Sequence, residues 1–153
     1  MSTTQAPGPK LTNSGTKPTT AHKLFVNIPV GDLQRSITFF ESLGFAFNPQ
    51  FTDASATCML VGEDAYFMLL TRDKFASFSK KPAADPRTHT SGMYALSVNS
   101  RAEVDEMVKT AAANGGSHAA DPQDHGFMYG WSFYDPDGHH WEVFWMDPSV
   151  VAG

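Results

Sequence analysis

The chain of 153 residues is long enough for one domain with a real hydrophobic core, or for two small fused modules, and 41% hydrophobic residues with 12 Phe mark it as globular. Eleven basic against 16 acidic residues give a formal net charge of -5, without the basic stripe of a nucleic-acid footprint, so nucleic acid is not an expected partner. One cysteine, Cys58, excludes an internal disulfide framework, and no run approaches the roughly twenty apolar residues of a membrane span, so a soluble cytoplasmic protein is expected.

Residues 1–21 are rich in Thr, Pro, Gly and Ser and predict a disordered tail, followed by one domain over 22–148. Its first strand is "KLFVNIPV", with Leu24, Val26, Ile28 and Val30 on one face and Phe25, Asn27 and Pro29 on the other. Asp32 is a good helix N-cap, Leu33, Ile37, Phe40 and Leu43 keep helical spacing, and Gly44 is a good stop. "FAFNPQF", "SATCMLVG" and "AYFMLLT" predict three more strands, completing a βαβββ module over about 23–71. Residues 72–90, polar and carrying Pro82 and Pro86, read as a linker with one short helix.

The pattern then restarts as a second module over about 91–148. "GMYALSV" predicts a strand, and "SRAEVDEMVKTAAANGG" a helix opened by a capping box of Ser100 and Glu103 and closed by Gly115-Gly116. "SHAAD", "YGWSFYD" and "HHWEVFWM" supply the remaining strands. Val30-Gly31-Asp32 recurs as Val98-Asn99-Ser100, the trace of an internal duplication. The expected class is α+β, with two βαβββ modules packed edge to edge into a curved mixed sheet that has helices on one face and a concave cavity on the other.

Asp135-Pro136-Asp137-Gly138 has the chemistry of a tight turn, and side chains alternate along the strand that follows it. His140, Glu142 and Phe144 therefore share one face, and Trp141, Val143 and Trp145 the other. A carboxylate among aromatics is neutralised, paired, metal-bound or facing a cavity, because an unpaired buried charge is costly. If the bulky face of each strand meets the helices, Phe25, Asn27, Leu69, Thr71, Met93, Ala95, Ser97, His140, Glu142 and Phe144 are left for the concave side. That mixture, mostly apolar with a few polar groups, suits a small-molecule pocket. The loop 121–131, with Gly126, Gly130 and several aromatics, suggests a lid.

"IPVGDLQRSITFFESLGF", "GMYALSVNSRAEVDEMV" and "DPDGHHWEVFW" together resemble the vicinal-oxygen-chelate superfamily of glyoxalase I, bleomycin- and fosfomycin-resistance proteins and extradiol dioxygenases. The resemblance is nearest to predicted lactoylglutathione lyases. It implies paired βαβββ modules, a homodimer with cavities built from both subunits and, in the enzymes, a divalent metal held by the first and last strand of each module. The implied ligand positions fall at Phe25, Leu69, Met93 and Glu142, and only Glu142 keeps a suitable donor. The family metal site is thus not intact, which tells against metal-dependent glyoxalase chemistry and iron-dependent ring cleavage.

Two readings follow. One is a metal-free binder of the bleomycin-resistance kind, its aromatic cavity walled by Phe25, Phe144, Tyr129 and Trp131. The other is a lyase or isomerase using Glu142 as general base, with His140 or His125 as partner. A metal variant of the second would add a further His, from His89, His118 or His125, to the His140–Glu142 pair.

Overall fold

A computed structural model describes residues 6–151. The part of the predicted tail within that range, residues 6–21, carries no helix or strand and is exposed; the rest of the tail lies outside the described residues. Strand β1 (Leu24–Val30) leads into α1 (Leu33–Ser42), β2 (Ala46–Asn48), β3 (Ala56–Leu60) and β4 (Ala65–Thr71). After α2 (Arg72–Phe78) come β5 (Met93–Ser97), α3 (Arg101–Ala113), β6 (Ser117–His118), β7 (Gln123–Asp124), β8 (Met128–Tyr134), β9 (His140–Met146) and α4 (Pro148–Val151).

Local chemistry sets the helix ends. The Asp32 carboxylate accepts the Arg35 N–H at 3.0 Å, and the Ser100 hydroxyl accepts that of Glu103 at 3.1 Å. Glu103 reaches back to the backbone N–H of Asn99, one residue before the cap, at 2.9 Å. Gly44 and Gly115 follow the two helices with φ of +96° and +108°, a conformation that side-chain-bearing residues rarely adopt. The strand expected over "FAFNPQF" is short because Pro49 has no N–H to donate, and a 3₁₀ turn over Pro49–Phe51 follows, capped by the Asn48 side chain. The helix expected in the linker is α2, capped by Thr71.

The strands form two sheets, ordered β1-β4-β3-β2 and β5-β9-β8-β6, with β7 also paired to β8. In each, the first and last strands of a module run parallel and the others antiparallel. The duplication therefore holds. The single continuous sheet does not: the modules are joined through side chains. Trp141 of β9, with no exposed surface, lies with its ring 5.1 Å from Phe40 of α1, 4.7 Å from Phe67 of β4 and 5.2 Å from Tyr94 of β5. Phe39 meets Phe133 of β8 in the same shared core. Interiors pack at crystal density, so a ring of this size on both modules' inner faces makes them one unit.

Cys58, 2% exposed, is a buried β3 residue whose thiol burial pushes up, in keeping with a packing role rather than a nucleophilic one. Among the described residues no helix is long and apolar enough to cross a membrane.

Candidate functional site

Residues 135–139 form a turn closed by the Gly138 N–H donating to the Asp135 carbonyl at 2.9 Å, with Gly138 at φ +97°. Its two acids are buried, and both are satisfied by the protein itself. Asp135 accepts the N–H groups of Asp137 and His139 on one oxygen, at 2.9 and 3.0 Å, and the indole N–H of Trp141 on the other at 3.0 Å. Burial pushes its carboxyl above the usual range, while His139 and these donors oppose that rise. Asp137 accepts the Gly31 N–H at 2.8 Å, an Arg35 guanidinium N–H at 2.9 Å and the Ser36 hydroxyl at 3.4 Å, from the turn before α1 and its first turn. The His139 ring bonds the Pro29 carbonyl at 2.6 Å. The turn is thus a polar staple between the modules.

One residue later the character changes. On the face of β8 and β9 turned away from the core, cross-strand pairs run Met128–Met146, Gly130–Phe144, Ser132–Glu142 and Tyr134–His140. The His140 Nε2 and a Glu142 carboxylate oxygen are 2.7 Å apart, and the His140 ring stands edge-on to Tyr134 at 5.6 Å. Their side chains are 14% and 39% exposed. The first three pairs line a cavity of about 370 Å³ together with Ala120, Asp121 and Gln123.

The cavity lies beside a break in the edge of the sheet. Between the Phe133–His118 and Gly130–Gln123 pairs, the four residues 119–122 stand opposite only Trp131 and Ser132. This is a bulge, a device that bends a strand and re-aims its side chains. The Ser132 hydroxyl accepts the Ala120 N–H at 2.9 Å and holds the bulge in place.

Several expected positions are corrected. Leu69 is fully buried in the core and not on the outer face, because the parallel register pairs it with Ile28. Phe25 pairs with Tyr66 and Asn27 with Met68, just as Met93 pairs with His140 and Ala95 with Glu142. The first-module counterpart of Glu142 is therefore Met68; a slip of one residue exchanges the faces of a strand. Tyr129 also lies on the helix side, where its hydroxyl donates to Asp105 of α3 at 2.6 Å and ionisation is pushed up to about 12. Trp131 borders the cavity, but its ring is on that side too, stacked on His118 at 5.2 Å.

The segment 121–131 is not a loose lid. Its β7–β8 hairpin is fastened to α3 by Arg101, which bonds both Asp124 oxygens at 2.7 and 3.0 Å and the Gly126 carbonyl at 2.7 Å. The Arg101 guanidinium lies over Tyr129 and Trp145, and its hydrogen bonds hold Asp124 down to about 2. Within the chain, Phe25 and Asn27 stay on the other sheet, Phe25 stacked on Tyr66 at 4.6 Å and half exposed, and Met93 beside His140 is 64% exposed. Among the residues of the cavity that were not foreseen are Asp121, Gln123, Met128, Gly130, Ser132 and Met146. Counting alternate positions back from Ser132, opposite Glu142, would have found three of them.

Metal ligands are a separate question. With Met68 in place of Leu69, the family positions are Phe25, Met68, Met93 and Glu142, offering one carboxylate and two thioethers, and Phe25 has no donor atom. This set does not fit a divalent ion that prefers oxygen and nitrogen. His89 bonds Thr88, His118 stacks on Trp131 and His125 sits in the β7–β8 hairpin; among the described residues no three His, Cys, Asp or Glu side chains are grouped to hold a metal.

The sequence model of the Glyoxalase/Bleomycin resistance protein/Dioxygenase superfamily matches residues 22–143, and the chain belongs to that superfamily. Among solved structures it is similar to a hypothetical protein from S. aureus, at 26% identity and a TM-score of 0.70, over 82% of this chain and 94% of that one. It is also similar to a glyoxalase-related enzyme from Fulvimarina pelagi, at 20% identity and a TM-score of 0.69, over 84% and 88%. The fold extends to a bleomycin resistance determinant encoded on the transposon Tn5, at 18% identity and a TM-score of 0.57, over 83% and 99%. No curated protein matches the chain.

Proposed function

We propose that the protein is a metal-independent small-molecule binder of the glyoxalase/bleomycin-resistance kind, with its site on the outer face of β8 and β9. The observation that carries this is the cavity of about 370 Å³, apolar along Met128, Gly130, Phe144 and Met146 and polar at Glu142. A concave, mostly apolar site with a few placed polar groups is the usual form of a ligand pocket. The donor set at the family metal positions supports the metal-free part of the reading. The half-exposed Phe25 and the exposed Met93, on the faces turned away from the core, support a homodimer in which a second copy covers them.

One observation favours a second reading, an enzyme of the lyase or isomerase class. The His140–Glu142 hydrogen bond would orient a general base at the cavity wall. Glu142→Gln separates the two: proton-transfer turnover would fall by 10²-fold or more for a base, whereas a binder has no turnover to lose. The primary reading is tested by calorimetric titration of the purified protein with Zn, Ni, Co, Mn and Fe(II), and by light scattering. The expected result is no stoichiometric metal binding and a dimeric mass; tight binding of one ion per chain, lost in Glu142→Ala, would overturn it.

A further inference from the structure

The cavity has a direction. Going from Met128–Met146 to Ser132–Glu142 along the face, successive cross-strand pairs pass from thioethers through Gly130–Phe144 to a carboxylate. Met146 lies four residue steps along the strand from Glu142, a span of about 13 Å at the strand rise. The formal charges that border this space are the carboxylates of Glu142 and Asp121; no Lys, Arg or His side chain lines it. Arg101, the cation that clamps this hairpin, is committed to Asp124 on the helix side. His140 engages one Glu142 oxygen, and the other accepts no hydrogen bond among the described residues.

We infer that the occupant is an organic cation, an amine or guanidine carried on an apolar or aromatic body, with Glu142 as its counter-charge. A partly exposed carboxylate bordering apolar walls still attracts an ammonium group and repels a carboxylate or phosphate, so charge decides selectivity where the apolar walls do not. Phe144 lines the same space, and an aromatic ring favours a cation over a neutral head group. The length of the face matches a head and body of about a dozen ångströms. Gly130 sets the depth: a Cβ there would meet only the Val143 carbonyl at 3.5 Å and the Phe144 Cβ at 3.8 Å, ordinary contact, so a larger side chain would be tolerated by the strand and would project into the space.

This inference rests on the proposed binding site, and the test keeps the two apart. The probes are 4-phenylbutylamine, 4-phenylbutanol and 4-phenylbutanoate, one skeleton with three head groups, titrated calorimetrically at pH 7 into the full chain, Glu142→Gln and Gly130→Leu, with circular dichroism checking each fold. The expected result is that the amine binds at least tenfold more tightly than the alcohol and that the carboxylate is weakest. Glu142→Gln should bring the amine down to the alcohol, and Gly130→Leu should weaken all three. Equal binding of the three, or preference for the carboxylate, would overturn the cation assignment and leave the cavity standing. No binding of any probe, or binding unchanged by Gly130→Leu in a folded variant, would overturn the cavity reading and the cation with it.

Discussion

Residues 135–139 and 140–144 are neighbours in the chain, both mix acids with histidine, and the fold uses them in opposite ways. In the turn, each buried charge is enclosed by groups of the protein: Asp135 by two backbone N–H groups and an indole, Asp137 by the Gly31 N–H, Arg35 and Ser36. In the strand, Glu142 keeps one histidine, remains 39% exposed and borders an open apolar space. Buried polar groups that are fully satisfied fix a structure, whereas a charge left beside a cavity is free to meet something from outside. The difference teaches where to look for function in this chain: the polar groups with the most partners are the ones that hold it together.

Variants can test that contrast, in order of expected size. Asp135→Ala leaves three buried N–H groups without an acceptor, so a loss of about 3–5 kcal/mol in urea denaturation is expected. A loss below about 1 kcal/mol would show that the turn is not a staple. His139→Ala strands the Pro29 carbonyl between the modules and is expected to cost about 1–3 kcal/mol by the same measurement. Replacing Glu142 by Gln is expected to change stability by less than about 1 kcal/mol, since the hydrogen-bonded pair it alters is partly exposed.

The smallest effect concerns the β7–β8 hairpin and pH. Hydrogen bonds from Arg101 and Gly126 hold the Asp124 carboxyl at about 2, below the 3.8 of a free aspartate. A depressed carboxyl contributes stability above its unfolded value, and that contribution is lost as pH falls through the folded value. The clamp should therefore weaken between about pH 4 and pH 2 and be constant above. NMR titration of the Asp124 carboxyl checks this, with a midpoint near 2 in the full chain and a return toward 3.8 in Arg101→Met.

Much of the architecture could be read from the chain because its signals are local. The caps Asp32 and Ser100, the glycines after α1 and α3, the repeated Val30 and Val98 and the alternation through His140, Glu142 and Phe144 each depend on near neighbours. Leu69 was misplaced because Phe67-Met68-Leu69-Leu70 is apolar throughout, and without alternation only the pairing with β1 tells which residue faces in. Tyr129 and Trp131 drew attention as aromatics, yet period two puts the small Gly130 and Ser132 on the face of Glu142. The bulge at 119–122 and the partners of Asp137, more than a hundred residues away, have no local signature at all.

The most direct test of the account is the stability of Glu142→Leu against the parent chain in urea. If the face of β8 and β9 is a binding surface, its carboxylate is not needed for folding, and the variant should match the parent within about 1 kcal/mol or exceed it, because Leu suits the apolar neighbours. A loss of more than about 2 kcal/mol would mean that the His140–Glu142 hydrogen bond is structural, like those of the acids of the turn, and would contradict the assignment of this face to a ligand.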